Sequence, residues 1–227
     1  MKKLTFLLVI IFISSIASAQ VKENRDVKDF SGVSFGVAGE LYLVQGNKFS
    51  VSIEGSKSLL SEVETYVKDG KLIIRKKNWN SFRTDKVTVW VTKPEIDDLS
   101  VSGSGTIKAE GPVSGKEFEL HVSGSGKLML SSLEADELDC SISGSGTIYL
   151  DEGSANECDL SISGSGDYMG KDFEISEMDV TVSGSGKCVC NVSKQLGARV
   201  SGSGDIYYSG SASVDARISG SGKVRKN

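Results

Sequence analysis

Beyond Asp97 the apolar positions follow one pattern that recurs every 18 to 21 residues: two strands of alternating apolar and polar residues joined by Ser-Gly-Ser-Gly. A β-branched residue precedes each of the seven copies: Val101, Val122, Ile142, Ile162, Val182, Val200 and Ile218. Alternation places every second side chain on one face. Before each corner the inward pairs are Phe118/Leu120, Leu138/Cys140, Cys158/Leu160, Met178/Val180, Leu196/Ala198 and Val214/Ala216. After it they are Ile107/Ala109, Leu128/Leu130, Ile148/Leu150, Tyr168/Gly170, Cys188/Cys190 and Ile206/Tyr208. A less regular third stretch closes each circuit. Self-similarity at this period predicts an all-β solenoid, in which each repeat is one coil that buries its apolar side only against its neighbours. Glycine at two fixed corner positions fits unusual φ or close approach between stacked coils.

From Val21 to Ile96 the chain is β-rich but lacks the repeat. Val33/Phe35/Val37, Leu41/Leu43 and Val51/Ile53 alternate as half-buried strands do. One helical turn fits Ser58 to Val63. Lys68-Asp69-Gly70-Lys71 predicts a hairpin turn between Val63-Thr65-Val67 and Leu72-Ile74, because Asp-Gly supplies positive φ. A further strand, Val87 to Val91, ends at Pro94. No linker intervenes. Residues 20–227 therefore read as a single β-helical domain, with 20–96 a non-repetitive part that continues or caps the solenoid and 97–227 its seven Ser-Gly-Ser-Gly coils.

The start of the chain reads as a secretory signal peptide over 1–19: Lys2 and Lys3, an apolar run from Leu4 to Ile13, then Ala17-Ser18-Ala19. That run is too short to span a bilayer, and no other segment reads as a transmembrane helix. The expected location is periplasmic, secreted or associated with the cell surface. Without the two leader lysines the formal charge moves from −4 to −6. This mild acidity argues against nucleic acid as a partner. Export suggests disulfides for the four cysteines, but their register argues for four buried thiols. Cys140 and Cys158 replace core residues in different columns, about 8 Å apart by strand and coil spacing and beyond disulfide reach. Cys188 and Cys190 point inward two apart on one strand.

Phe30-Ser31-Gly32-Val33, the Leu59-Leu60 turn, Asp69-Gly70-Lys71-Leu72-Ile73-Ile74, Val89-Trp90-Val91-Thr92-Lys93-Pro94 and Leu99-Ser100-Val101-Ser102-Gly103-Ser104-Gly105 stand in this order. With the repeats that follow, the chain resembles the auto-transporter adhesin, head GIN-domain family over nearly all of its mature length. The resemblance implies a right-handed parallel β-helix from an exported bacterial protein and carries no catalytic residues over.

The chemical motifs are weaker than the architecture. Gly32-Val33-Ser34-Phe35-Gly36 matches a nucleophile elbow, but no helix follows, and the sole histidine, His121, falls in an outward phase. Aspartate after the corner would suggest a calcium-binding β-roll, yet that slot reads Thr106, Lys127, Thr147, Asp167, Lys187, Asp205 and Lys223. No phosphate-cradling loop or zinc-spaced Cys/His cluster is present in the sequence. No catalytic residue and no cofactor is assigned.

Two outward columns say more. Glu117, Glu137, Glu157 and Glu177 form one line, and Glu119, Asp139, Asp159 and Asp179 the next. Like charges about 5 Å apart repel by roughly 1 kcal/mol near water. A solvated face that resists β-association accounts for the ladder. If it meets Ca²⁺ at all, binding is weak and falls on Glu137, Asp139, Glu157, Asp159, Glu177 and Asp179, because carboxylates on flat strands form no preformed cage. The second column is apolar: Met129, Tyr149, Met169, Val189 and Tyr207, flanked by Lys108 and Arg225. Either it is a surface for a protein or glycan partner or for self-association, or part of the chain folds over it. The favoured reading is a non-catalytic exported scaffold for adhesion or interaction. A polysaccharide-acting enzyme or glycan-binding β-helix, and a structural or envelope-stress partner in the periplasm, are the alternatives.

Overall fold

The computed structural model describes residues 20–78 and 85–227. The leader read over 1–19 lies outside the described residues. The coils are built from β8 (Asp98–Gly103), β9 (Thr106–Gly124), β10 (Lys127–Gly144), β11 (Thr147–Gly164), β12 (Asp167–Gly184), β13 (Lys187–Gly202), β14 (Asp205–Ser209), β15 (Ser213–Gly220) and β16 (Lys223–Lys226). Ahead of them come β1 (Gln20–Asn24), β2 (Gly32–Gly36), β3 (Gly39–Gln45), β4 (Ser50–Ser56), α1 (Lys57–Glu62), β5 (Val63–Lys68), β6 (Lys71–Lys76) and β7 (Val87–Lys93). From β9 to β13 each long strand pairs in parallel with the next, and alternate side chains line one core. The molecule is a parallel β-solenoid.

The corner motif is a stacking device. Strands end on its first glycine and resume after its second. Gly144 has φ +109°, and a Cβ there would lie 2.7 Å from the Gly124 carbonyl oxygen of the coil below, so a side chain is excluded on both counts. A Cβ on Gly146 would meet Val122 Cγ1 at 2.3 Å. The β-branched residue of one repeat therefore occupies the space that the second glycine of the next leaves open. Ser145 N donates to Gly124 O at 2.8 Å and Thr147 N to Gly126 O at 3.0 Å, which carries the ladder around the bend.

All the inward pairs up to Ile206 are buried, including the four cysteines, which are free thiols. Cys140 pairs with Leu160 and Cys158 with Leu138, the column mismatch read from the sequence. The last coil departs from the pattern. Val214 and Tyr208 are half-buried and Ala216 is exposed, because no further coil lies over them.

The N-terminal part both continues and caps the solenoid. β2 and β3 form a coil that pairs in parallel with β8 and β9 on one side and with β6 and β7 on the other. The chain thus builds an outer coil after an inner one, then crosses back. β4 lies antiparallel on β7, β1 on β4, and β5 on β6, closing that end. The Asp69-Gly70 turn has φ of 51° and 73°, as expected for a tight hairpin. α1 begins on Ser56, whose hydroxyl accepts from Leu59 N, and buries Leu59 and Leu60.

Candidate functional site

Parallel pairing turns each outward position into a line of side chains along the solenoid. The apolar column runs Met129, Tyr149, Met169, Val189 and Tyr207 in unbroken register, with Lys108 before it and Arg225 after. Met129 is 36% exposed, and Tyr149, Met169 and Tyr207 are half-buried. Val189 corrects the expectation of an exposed rung: it is only 8% exposed, a short side chain recessed between Met169 and Tyr207. Neither the third side of the coils nor a terminal segment pairs over the column among the described residues.

The structure extends this column into the non-repetitive part of the chain. Tyr42 pairs with Lys108 and Trp90 with Tyr42, so both join the same line. Their rings stack at 6.3 Å between centroids and 17° between planes, and Lys22 Nζ lies 3.7 Å from the Trp90 ring centroid. Two matching clamps hold tyrosines near the ends. Tyr42 donates to Glu40 at 2.6 Å beneath Lys108, which also donates to Glu40 at 2.9 Å. Tyr207 donates to Asp205 at 3.2 Å, with Lys187 5.4 Å from its ring. The Tyr42 hydroxyl and then the Lys108 ammonium hold the Glu40 carboxyl below its usual range, and the same contact raises Tyr42 and Lys108.

On another side the acidic columns stand as read, with Glu117, Glu137, Glu157 and Glu177 in one line and Glu119, Asp139, Asp159 and Asp179 in the next, all exposed. Among the described residues the ladder is neutralised only at its ends. Lys71 pairs with Asp98, and Arg199 Nη1 lies 3.2 Å from Asp179 Oδ1. Gly197 occupies the acidic column's next rung; a Cβ there would meet Asp179 Oδ1 at 2.1 Å, so the glycine lets the carboxylate lean toward Arg199. Asp139 and Asp159 have no ion pair among the described residues. The candidate ligands Glu137, Asp139, Glu157, Asp159, Glu177 and Asp179 thus form lines rather than a cage. Among the described residues no three His, Cys, Asp or Glu side chains converge as a metal's ligand set.

Beside these acids His121 stands between Ser100 and Ser141, and the shallow trough that His121 and Ser141 share with Asp139, Asp159 and Asp179 holds about 600 Å³. Ser34 lies in the middle of β2 beside Ser100, not on a strand-to-helix turn. No hydrogen bond joins the imidazole to a hydroxyl among the described residues. The trough's strong cation, Arg199, is engaged by Asp179.

Fold and faces together define a parallel β-solenoid whose exposed chemistry is laid out in ladders. The chain belongs to the family described as "Putative auto-transporter adhesin, head GIN domain", whose model matches residues 29–212. Solved structures share the fold across nearly their whole length. A "putative adhesin" from Bacteroides fragilis has a TM-score of 0.83 at 23% identity, covering 93% of this chain and 98% of its own. A "putative adhesin" from Parabacteroides distasonis has a TM-score of 0.76 at 24% identity, with the same two coverages. A "putative lipid binding protein" from the same species has a TM-score of 0.76 at 20% identity, again covering 93% and 98%. No curated protein matches the chain significantly. No helix among the described residues is long and apolar enough to cross a membrane.

Proposed function

We infer that this protein is an exported, non-catalytic scaffold that binds a protein or glycan partner through the ladder of Trp90, Tyr42, Met129, Tyr149, Met169 and Tyr207. One observation carries the reading: six aromatic and thioether side chains share one outward line with Lys108 and the recessed Val189, and the six remain open to solvent. Such residues cost solubility without serving the core, and aromatic and methionine side chains are enriched where proteins bind. The flat sheet and clamped rings keep the surface pre-organised, which limits the entropy lost on contact. Membership of an adhesin family supports display at the surface or beyond it.

The acidic ladder is a solvated face that keeps the sheet from pairing with other chains. An enzyme on polysaccharide is the less favoured reading, since the cations at the two ends of the acidic ladder, Lys71 and Arg199, are both held in ion pairs. Binding of the protein to immobilised polysaccharides and extracellular-matrix proteins tests the inference. Tyr149→Ser with Met169→Ser should weaken capture at least about tenfold while unfolding stays within about 1 kcal/mol of the parent. Undiminished binding by a folded double variant would exclude this face. Unfolding of the variant would mean that the column is buried.

A further inference from the structure

The two ends of the solenoid are unlike. At the N-terminal end antiparallel β1 and β5 are the outermost strands, and the core columns beneath them, with Val51, Ile53, Leu72 and Ile74, stay buried. At the C-terminal end, among the described residues, β15 pairs only with β13, and β16 only with β14, so each offers a free edge. Ile218, whose counterparts Val200 and Val182 are 2% and 0% exposed, is itself 47% exposed. Val214 and Val224 are half-buried in the same layer. A free edge carrying core residues is a template for a further strand.

The sequence of β15 indicates which strand. Ser213-Val214-Asp215-Ala216-Arg217-Ile218-Ser219 is chemically symmetric about Ala216. We propose that β15 pairs antiparallel with β15 of a second copy of this chain about a two-fold axis at Ala216. That register sets Val214 against Ile218 on the inward face, Asp215 against Arg217 on the outward face, and Ser213 against Ser219. Register with β13 fixes those faces: Val214 and Ile218 continue the buried Leu196 and Val200 columns, whereas Asp215 and Arg217 continue outward Gly197 and Arg199. An axis normal to the sheet keeps inward positions inward, so the two cores meet. Opposite charges directly across an antiparallel pair are favourable and like charges are not. A parallel copy added head to tail would instead have to dock on an end already covered by antiparallel strands. The isologous contact closes as a dimer and leaves the apolar ladder free on both copies.

Sedimentation equilibrium at micromolar concentrations should give a dimer mass. Arg217→Asp, or Asp215→Arg, should raise the dissociation constant at least about tenfold by facing like charges. Asp215→Arg combined with Arg217→Asp should restore it. Both positions are exposed, and unchanged circular dichroism checks that each variant folds. Ala216→Cys should form an interchain disulfide on mild oxidation, because residues facing each other in antiparallel strands have Cα atoms about 4.5 to 5.5 Å apart. Tyr149→Ser with Met169→Ser should leave the dimer intact, which separates this contact from the partner-binding face. A monomeric parent, a mass that grows without limit, failure of the double swap to rescue, or a dimer lost with the Tyr/Met variant would each overturn the proposal.

Discussion

Two buried polar groups set the most specific expectations at the scale of single residues. Lys93 closes β7 with 0% exposure; its ammonium donates to Ser31 O and lies 5.5 Å from the Phe30 ring, with no carboxylate in ion-pair contact among the described residues. Burial lowers its pKa to about 8, against the partial pull of Asp97, Glu95 and Asp98. Between pH 8 and 10.5 the unfolded chain holds a proton that the folded chain has released, so stability from this group rises with pH across that window. Below it both states are charged and the burial cost, about 3 kcal/mol at 1.36 kcal/mol per unit, is fully present. Lys93→Met should therefore raise the unfolding free energy at pH 7 and change it little near pH 10.5; Ser31 O keeps its bond from Asp97 N at 3.3 Å. Denaturant titrations at the two pH values measure this. Equal effects at both would show that the ammonium carries no burial cost. Tyr168 is the second group. Its ring uses the space left by Gly170, where a Cβ would lie 2.8 Å from Cε1, and its hydroxyl has no hydrogen-bond partner among the described residues. Burial raises its pKa, as thiol hydrogen bonds with Cys140 and Cys190 and burial raise those of Cys158 and Cys188. Tyr168→Phe should stabilise the fold by about 1 kcal/mol, since an unpaired buried hydroxyl is costly. A loss of similar size in a chemical melt would contradict that.

Among the elements, the coils were legible because two periods coincide: alternation within each strand and recurrence of the corner. Strand β7, the Asp69-Gly70 hairpin and the single helical turn followed from local residue chemistry. The order of the first coils did not. β2 and β3 lie between β6–β7 and β8–β9, and no local signal encodes a return across an intervening coil. For that reason Tyr42 and Trp90 escaped the column found from Met129 to Tyr207. Lys93 was equally hidden, because alternation marks it as inward but lysine is almost never fully buried. Corner chemistry makes a sharp prediction here: Gly144→Ala should destabilise by several kcal/mol, with positive φ and a 2.7 Å contact to Gly124 O combined. Thermal unfolding measures it, and a loss within surface-site scatter would refute the stacking account. For the acidic strands, millimolar Ca²⁺ should leave the melting midpoint unchanged, or shift the parent and Asp139→Asn/Asp159→Asn equally. A shift confined to the parent would assign the ladder to cation binding.

The described residues form a rod that finishes in antiparallel strands at one end and in a parallel coil at the other, with a charged ladder and an apolar ladder on different sides. The solenoid places the four cysteines inside and out of line, so thiol counting after denaturation should return four. Two would mean that the coils had shifted register. The central claim is that the apolar ladder is open and is the binding face. Oxidative footprinting tests it directly, because Met129 and Met169 lie on that face whereas Met178 is 3% exposed in the core. In the free protein Met129 and Met169 should oxidise readily and Met178 should be protected, and bound partner should suppress the first two alone. Protection of Met129 and Met169 in the free protein, or oxidation unchanged by a bound partner, would contradict the account.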